Sequence, residues 1–458
     1  MVYTVSVSGG RESKCAEASS WKGVLFSFIA TLPFFTHGLE STELFSSSHS
    51  GHFVISPETT PWNATAFIVA AALSAPIYWC IIDKFGRITG LFVLSLAQGI
   101  SCIPLFLAPG ETITYILHGL TGTSMAGLFI AIPTYVCEIN TPAYRGLSLS
   151  FMMLMSTVGC LMRLVMKLEI MMYLMAALIA IQLLSLLILL ESPSYLVKVD
   201  RITSAREKIS KLKCLEDDNL NLLKELEALQ DESYRAKAKG KITLIQIFRN
   251  LIWRDATKIG ILLHTTMAFC GSVLFLDQDK TLQQIQLPSD PDKKLILIAL
   301  CTGSIFTVFV MKFIERKHLL AFGNMLMVLS MGVLAVFTQV DLTVTSFRWM
   351  PVVALAVLVF GFGICWGFPT IISVEIYNFE VRVIMMTLLF FYAQLIKLFH
   401  VHTYQYVEDY VGVYTFIYLF AAINLYGGVY GLFVIPDIKN KTLKQIERQL
   451  KRIPLIKL

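Results

Sequence analysis

The chain has 458 residues, 55% of them hydrophobic and 15% charged, with a mean hydropathy of +0.66. Soluble domains carry about 25% charge, so this composition excludes a water-soluble fold, and a soluble enzyme with it. The charge is also uneven: 24 charged residues fall in the 65 positions from Glu191 to Asp255, and the other 393 are roughly 12% charged.

A helix needs about 20 apolar residues to cross a bilayer. Taken in order, the apolar runs lie at roughly 22–39, 63–82, 88–108, 113–136, 147–166 and 171–190, then, beyond the charged stretch, at 256–276, 295–311, 319–340, 351–374, 383–403 and 412–434. The expected fold class is therefore an all-α membrane protein with twelve transmembrane helices in two six-helix halves. The expected segments are a cytosolic N-terminal tail at 1–21, a first half at 22–190 and a cytosolic helical linker at 191–255. A second half at 256–434 and a cytosolic tail at 435–458 complete the chain. With both termini inside, 31 of the 38 Lys and Arg fall on the cytosolic side, as the positive-inside bias requires. The net charge of +6 then faces anionic lipid and does not imply a nucleic-acid partner.

The linker reads as amphipathic helices. Ala205, Ile209 and Leu212 form one strip, and Leu220, Leu223, Leu226 and Leu229 a second, which suits a lid packed beneath the membrane helices. Seven of the nine cysteines lie inside apolar runs, and no CxxC spacing occurs. Neither a disulfide framework nor a metal or redox centre is expected. No P-loop, HExxH or intramembrane His/Asp cluster points to an enzyme, and no cofactor is called for. The sequon at Asn63 is a possible glycosylation site, although it abuts the second run.

The halves repeat. Glu138 is followed seven residues later by Arg145, and Glu375 by Arg382, 237 residues further on. Asp83-Lys84-Phe85-Gly86-Arg87 has a counterpart at Lys312–Lys317, and Glu191-Ser192-Pro193 one at Pro436-Asp437-Ile438. Elements matched in order at about half the chain length imply parallel six-helix repeats. A cleft between them and a rocking motion follow from that arrangement.

These elements also carry a family resemblance. Asp83–Arg87 resembles D-R-x-G-R-R, and Pro133–Glu138 with Arg145-Gly146 resembles P-x-Y-x-x-E…RG. Glu191–Leu196 resembles P-E-S-P-R-[YW]-L, and Pro436–Leu443 with Ile446 resembles P-E-T-K-[GN]-K-T-L-x-x-I. The chain is thereby similar to the sugar porter family of the major facilitator superfamily, most of all to the insect facilitated trehalose and glucose transporters.

The resemblance implies a cytosolic gate of Asp83, Gly86, Arg87, Glu138, Arg145, Glu191, Glu375 and Arg382. Glu138 and Arg145 would face Arg382 and Glu375, Asp83 and Arg87 would fasten the loop between the second and third spans, and Glu191 would tie on the linker. It also implies a sugar cleft, but the family's contact positions are altered here. The span-five glutamine falls on Met153. Its span-seven Q-Q-x-x-G-x-N falls on Thr265-Thr266 and ends at Gly271. The span-ten tryptophan falls near Thr370, with Trp366 one turn earlier, and the span-four arginine falls on His118. Proton-coupled relatives place an acid in the first span; Trp21–Leu39 contains none, which favours facilitated diffusion. Lys397, His37 and His400 are read as interfacial, the lysine snorkelling outward.

The resulting expectation is a plasma-membrane carrier of trehalose or a hexose, in no stated oligomeric state. Its rivals are a non-transporting nutrient sensor or scaffold that keeps the fold, and a carrier of a different small polar solute.

Overall fold

In the computed structural model, residues 21–41, 60–106, 111–213, 220–237, 244–272, 293–337, 339 and 349–451 are described. Twelve spans are built from α1 (Trp21–Glu40), α2 (Thr60–Phe85), α3 (Arg87–Cys102), α4 (Glu111–Ile139), α5 (Arg145–Val165) and α6 (Leu168–Ser185) in the first half. After short linker helices α7 (Pro193–Lys198), α8 (Ile202–Lys213), α9 (Leu220–Lys237) and α10 (Leu244–Arg249), the second half follows. It comprises α11 (Leu251–Ala268), α12 (Lys293–Val310), α13 (Arg316–Phe337), the pair α14 (Met350–Cys365) and α15 (Phe368–Ile376), α16 (Phe379–Val411) and α17 (Val413–Val434). A last helix, α18 (Leu443–Leu450), opens with a capping box at Thr442 and Gln445. Among the described residues, nine helices are long and apolar enough to cross a membrane, and two shorter apolar ones lie at Glu169–Ser185 and Leu295–Val310.

The span boundaries differ most from the sequence reading at the seventh span and at the eleventh, where α16 runs beyond the expected 383–403 at both ends. α11 begins at Leu251 because the Asn250 side chain accepts from the Ile252 N–H at 3.2 Å; such a cap starts a helix despite Arg254 and Asp255. The helix ends at Ala268, just before Gly271, whose φ is +86°. The α14–α15 break at Trp366-Gly367 is followed by Pro369, which leaves one span as two helices. In the linker the α8 strip Ala205, Ile209 and Leu212 is buried as expected. On α9 the buried register is Leu222 and Leu226, and Leu220 is exposed. Leu223 and Leu229 lie at the edge of that cluster. Cys15 and Cys214 lie outside the described residues, and the seven cysteines within them are free thiols.

Helices in lipid gain little from hydrophobic segregation, so close backbone packing carries their association. At the α1–α5 crossing, a Cβ on Gly38 would lie 2.2 Å from the Ser156 carbonyl oxygen, and one on Gly159 2.3 Å from that of Phe35. Gly303 of α12 and Gly363 of α14 meet the same way in the second half, at 2.4 and 2.5 Å from opposing carbonyls. The two halves touch along α2 with α16 and along α5 with α12. Gly159→Val is expected to push α1 off α5 at a cost of about 1–3 kcal/mol. The check is thermal unfolding of the detergent-solubilised protein, and an unchanged midpoint would remove this crossing from the packing argument.

Candidate functional site

The face that carries the linker helices is closed by a charged network centred on Glu138, near the end of α4. Gly86, at φ +111°, makes the sharp turn from α2 into α3, and a Cβ there would meet Glu191 Oε2 at 2.4 Å. The turn delivers Arg87, which is fully buried. Its Nε and Nη2 donate to Glu138 Oε2 and Oε1, both at 2.9 Å, and its Nη1 donates to the Ile82 carbonyl at 3.3 Å. The guanidinium lies over the Tyr195 ring, 4.9 Å from its centre. Ser192 Oγ donates to Glu138 Oε2 at 2.5 Å. Glu191 accepts from the N–H groups of Arg87, Ile88 and Ser192 at 3.0, 3.2 and 2.9 Å. Burial outweighs those three bonds and holds its carboxyl above the ordinary range. Glu191 thus caps α3 and fixes the turn into α7.

The second half repeats this geometry. Arg316 Nη2 lies 2.9 Å from Glu375 Oε1, with both side chains nearly inaccessible. Arg382 donates through Nε to the Val374 carbonyl at 2.9 Å and through Nη2 to the Tyr377 carbonyl at 3.0 Å. Arg145 likewise donates through Nε to the carbonyl five residues before it, Asn140, at 3.2 Å. One ion pair then crosses between the halves: Arg382 Nη1 to Glu138 Oε1 at 3.3 Å. Beside it, Cys137 Sγ donates to the Val374 carbonyl at 3.7 Å. Gly146 lets Arg316 of the opposite half approach, since a Cβ there would lie 2.6 Å from its Nη2.

This arrangement corrects one expected pairing. Glu375 is engaged by Arg316, so Arg145 faces a backbone carbonyl. Arg87 binds Glu138 and leaves Asp83 to Lys198 of α7. Lys198 also donates to the Glu380 carbonyl at 3.0 Å, and so straps α2 to α16. On α9, Ser233 Oγ donates to Glu380 Oε1 at 2.5 Å, and Lys237 lies 3.5 Å from the same oxygen. Glu232 lies half-buried beside them, and loss of solvent pushes its carboxyl up. At the base of the second half, Asp437 pairs with Lys317 and Lys441. Those bonds overcome burial and hold it below the usual carboxylate range. Of these partners, Arg316 was legible as the counterpart of Arg87 in the repeat and Ser192 lay inside a matched motif, whereas Lys198 and Ser233 had no sequence signal.

Above this network, Phe34 of α1, Phe129 of α4, Phe390 of α16 and Trp366 close the space between the halves. Phe129 stacks on Phe390 at 6.0 Å and meets Phe34 and Trp366 edge-on at 5.4 and 6.4 Å. Met153 is fully buried and packs on Gly367 of the opposite half, where a Cβ would meet its Cγ at 2.5 Å. Thr265 Oγ1 and Tyr392 Oη share a hydrogen bond of 2.7 Å. The Trp366 Nε1 is buried without a partner, and Thr370 is buried one turn below it.

Three expected positions do not reach this space. Thr266 packs on Gly427 of α17, Gly271 packs on Met331 and Phe420, and His118 bonds its own helix at the Thr114 carbonyl, 2.7 Å away. Asn63 is buried in the first turn of α2, which leaves a glycan no room. His400 is buried among Phe269, Tyr404 and Phe420.

Lys397 is half-buried. Phe390, Gln394 and Lys397 at i, i+4 and i+7 share a face of α16, and Phe390 of that face stacks on the opposite half. Leu395, Phe399 and Tyr406, on the reverse face, are exposed. Lys397 therefore points between the halves and not toward lipid, which replaces the snorkelling expectation. Height along the helix was legible in the sequence; the angle around it decides the environment.

Two related six-helix halves, meeting at a charged closure below an aromatic-floored cleft, define a multi-pass carrier architecture. The profile of the family described as "Sugar (and other) transporter" matches residues 22–450, and the chain belongs to that family; it is not an enzyme. It is 24% identical over 392 residues to the facilitated glucose transporter member 2 of Sus scrofa, covering 81% of this chain and 73% of that one. It is 22% identical over 412 residues to the facilitated trehalose transporter Tret1 of Drosophila willistoni, covering 87% of this chain but about half (47%) of that relative. Among solved structures, the major facilitator proton:xylose symporter XylE bound to 6-bromo-6-deoxy-D-glucose superposes with a TM-score of 0.74 at 14% identity. The match covers 95% of this chain and 100% of that one. The fold is thereby that of the major facilitator superfamily.

Arg382→Ala is expected to loosen the closure, because a hydrogen bond to a charged group contributes about 1.5–3 kcal/mol. The fully buried Cys137 should then be alkylated at least roughly tenfold faster by a small maleimide added to the linker face. Arg145→Ala should change that rate much less. Equal rates in the two variants would refute the asymmetry.

Proposed function

We propose that this protein carries a sugar across the plasma membrane by facilitated diffusion, with both termini in the cytosol. The halves at 22–190 and 256–434 would rock about the cleft, and the linker at 191–255 would brace the closed inner face. The observation that carries this reading is the Glu138–Arg382 pair, an ion pair that joins the two halves on the linker face. Opening that face breaks the 3.3 Å ion pair together with the Cys137–Val374 bond and the Lys198 strap, while Arg87 still neutralises Glu138 and Arg316 still neutralises Glu375. Two conformations that differ by so small a set of bonds lie within the few kcal/mol that alternating access requires. The relatives named as glucose and trehalose transporters support a sugar as the solute. The first span bears no acid from Trp21 to Leu39, and Glu40 at its end is held by the Ser101 hydroxyl at 2.8 Å, which supports uniport over proton symport.

The test is counterflow of labelled glucose and trehalose in proteoliposomes. Saturable exchange of at least one, unchanged by an imposed pH gradient, is the expected result. Exchange that collapses without the gradient would overturn uniport. Ligand binding without any exchange would favour a sensor that keeps the fold.

A further inference from the structure

The cleft contains a group that a neutral sugar does not require. Lys397 is 15 residues beyond Arg382, about 22 Å along the helix at 1.5 Å per residue, and so lies in the outer part of a hydrocarbon core about 30 Å thick. It shares a face of α16 with Phe390, two turns below, which stacks on Phe129 of the opposite half. A lone cation at such depth is costly, and intramembrane charges are ordinarily paired. Among the described residues, no carboxylate lies within ion-pair distance of Lys397. The titratable groups within its electrostatic reach are His37 of α1, His264 of α11 and the Cys270 thiol. None of these is an anion in its ordinary state at neutral pH.

The neighbouring polar atoms are also left open. Gln394, on the same face one turn below, is 1% exposed, and neither its amide nitrogen nor its oxygen has a partner. His37 Nδ1 and Trp366 Nε1 are buried and unpartnered as well. Buried polar groups are nearly always satisfied, so an open carboxamide one turn from an ammonium without a counter-ion marks a place that a ligand completes. The set is rich in donors: an ammonium, a carboxamide NH2 and an indole N–H.

We propose, building on the carrier reading, that the cleft takes a sugar acid, a polyhydroxylated carboxylate. Its carboxylate pairs with Lys397, its hydroxyls bond to Gln394 and Trp366, and its apolar face rests on Phe390 and Phe129. A charge-assisted bond at this site replaces the hydrogen bonds lost where the family's amides have become Met153 and Gly271. A neutral hexose leaves the ammonium unpaired and is discriminated against for that reason.

The experiment uses the full chain with D-glucuronate and D-glucose as probes, read by ligand-induced thermal stabilisation in detergent and by counterflow in proteoliposomes. Glucuronate should stabilise the wild type with an apparent affinity at least tenfold tighter than glucose. Lys397→Gln should lose that preference at least tenfold, and Lys397→Arg, which keeps the charge, should retain most of it. Stabilisation and exchange by glucose with none by glucuronate would overturn the anion site and leave the carrier reading standing. Stabilisation by glucuronate that depends on Lys397, with no exchange, would uphold the site and overturn the carrier. No response to glucuronate in either assay overturns the proposal, whatever glucose does.

Discussion

The closed face rests on one carboxylate. Glu138 is buried, and an isolated carboxylate in that position would cost several kcal/mol. Arg87, from the same half, neutralises it through two parallel 2.9 Å bonds and is itself fixed by the Gly86 turn and the Tyr195 ring. That pair persists whatever the other half does. Arg382 adds a longer third bond from across the cleft while retaining two backbone carbonyls of its own. Separation therefore strands neither charge. A permanent ion pair inside each half, and a set of weaker contacts between them, lets the halves part while Glu138 and Glu375 keep their partners.

The linker adds reach to the same lock. Lys198 sits on α7, immediately after the Glu191 turn, and touches both Asp83 of α2 and the Glu380 backbone of α16. Ser233 and Lys237 approach the Glu380 carboxylate from α9. The helices held by Glu191 and those held by Glu380 belong to opposite halves, so closing the face assembles the linker contacts and opening it must release some of them. Each such contact is modest, as partly exposed pairs are. Their sum biases the equilibrium without fixing it.

Much of this was legible as positions and little of it as partners. Twelve apolar runs, the charge bias and the Glu-x6-Arg repeat located α4, α15 and their arginines. A repeat implies that Arg145 and Arg382 do equivalent things, and within their own halves they do, each binding the carbonyl five residues back. The crossing contact breaks that symmetry, because Glu375 is already taken by Arg316. Reach and competition between side chains decide this, and neither is written in spacing. The same holds for Asn63, whose sequon is intact while its side chain is buried in a helix. In the α9 strip Leu226 turns inward as expected, but Leu222 takes the place expected for Leu220, because several leucines lie close together and tertiary packing selects among them.

The cleft shows the limit more sharply. Its resemblance-derived positions lie on α5, α11 and α15, yet Met153 became packing against Gly367, and Gly271 became a helix stop packed on Met331 and Phe420. The polar side chains left open are on α16 and α1, at Gln394 and His37. An apolar replacement at an old contact removes both donors and acceptors, and neutral hydroxyls lose most from that exchange. A lysine adds donors alone, and its strength in a low-dielectric cleft depends on finding an opposite charge. Phe129, Phe390 and Trp366 still give a sugar ring its apolar floor. Floor and wall then favour different parts of one solute: aromatic faces for the C–H surface, and a cation for a group that carries negative charge.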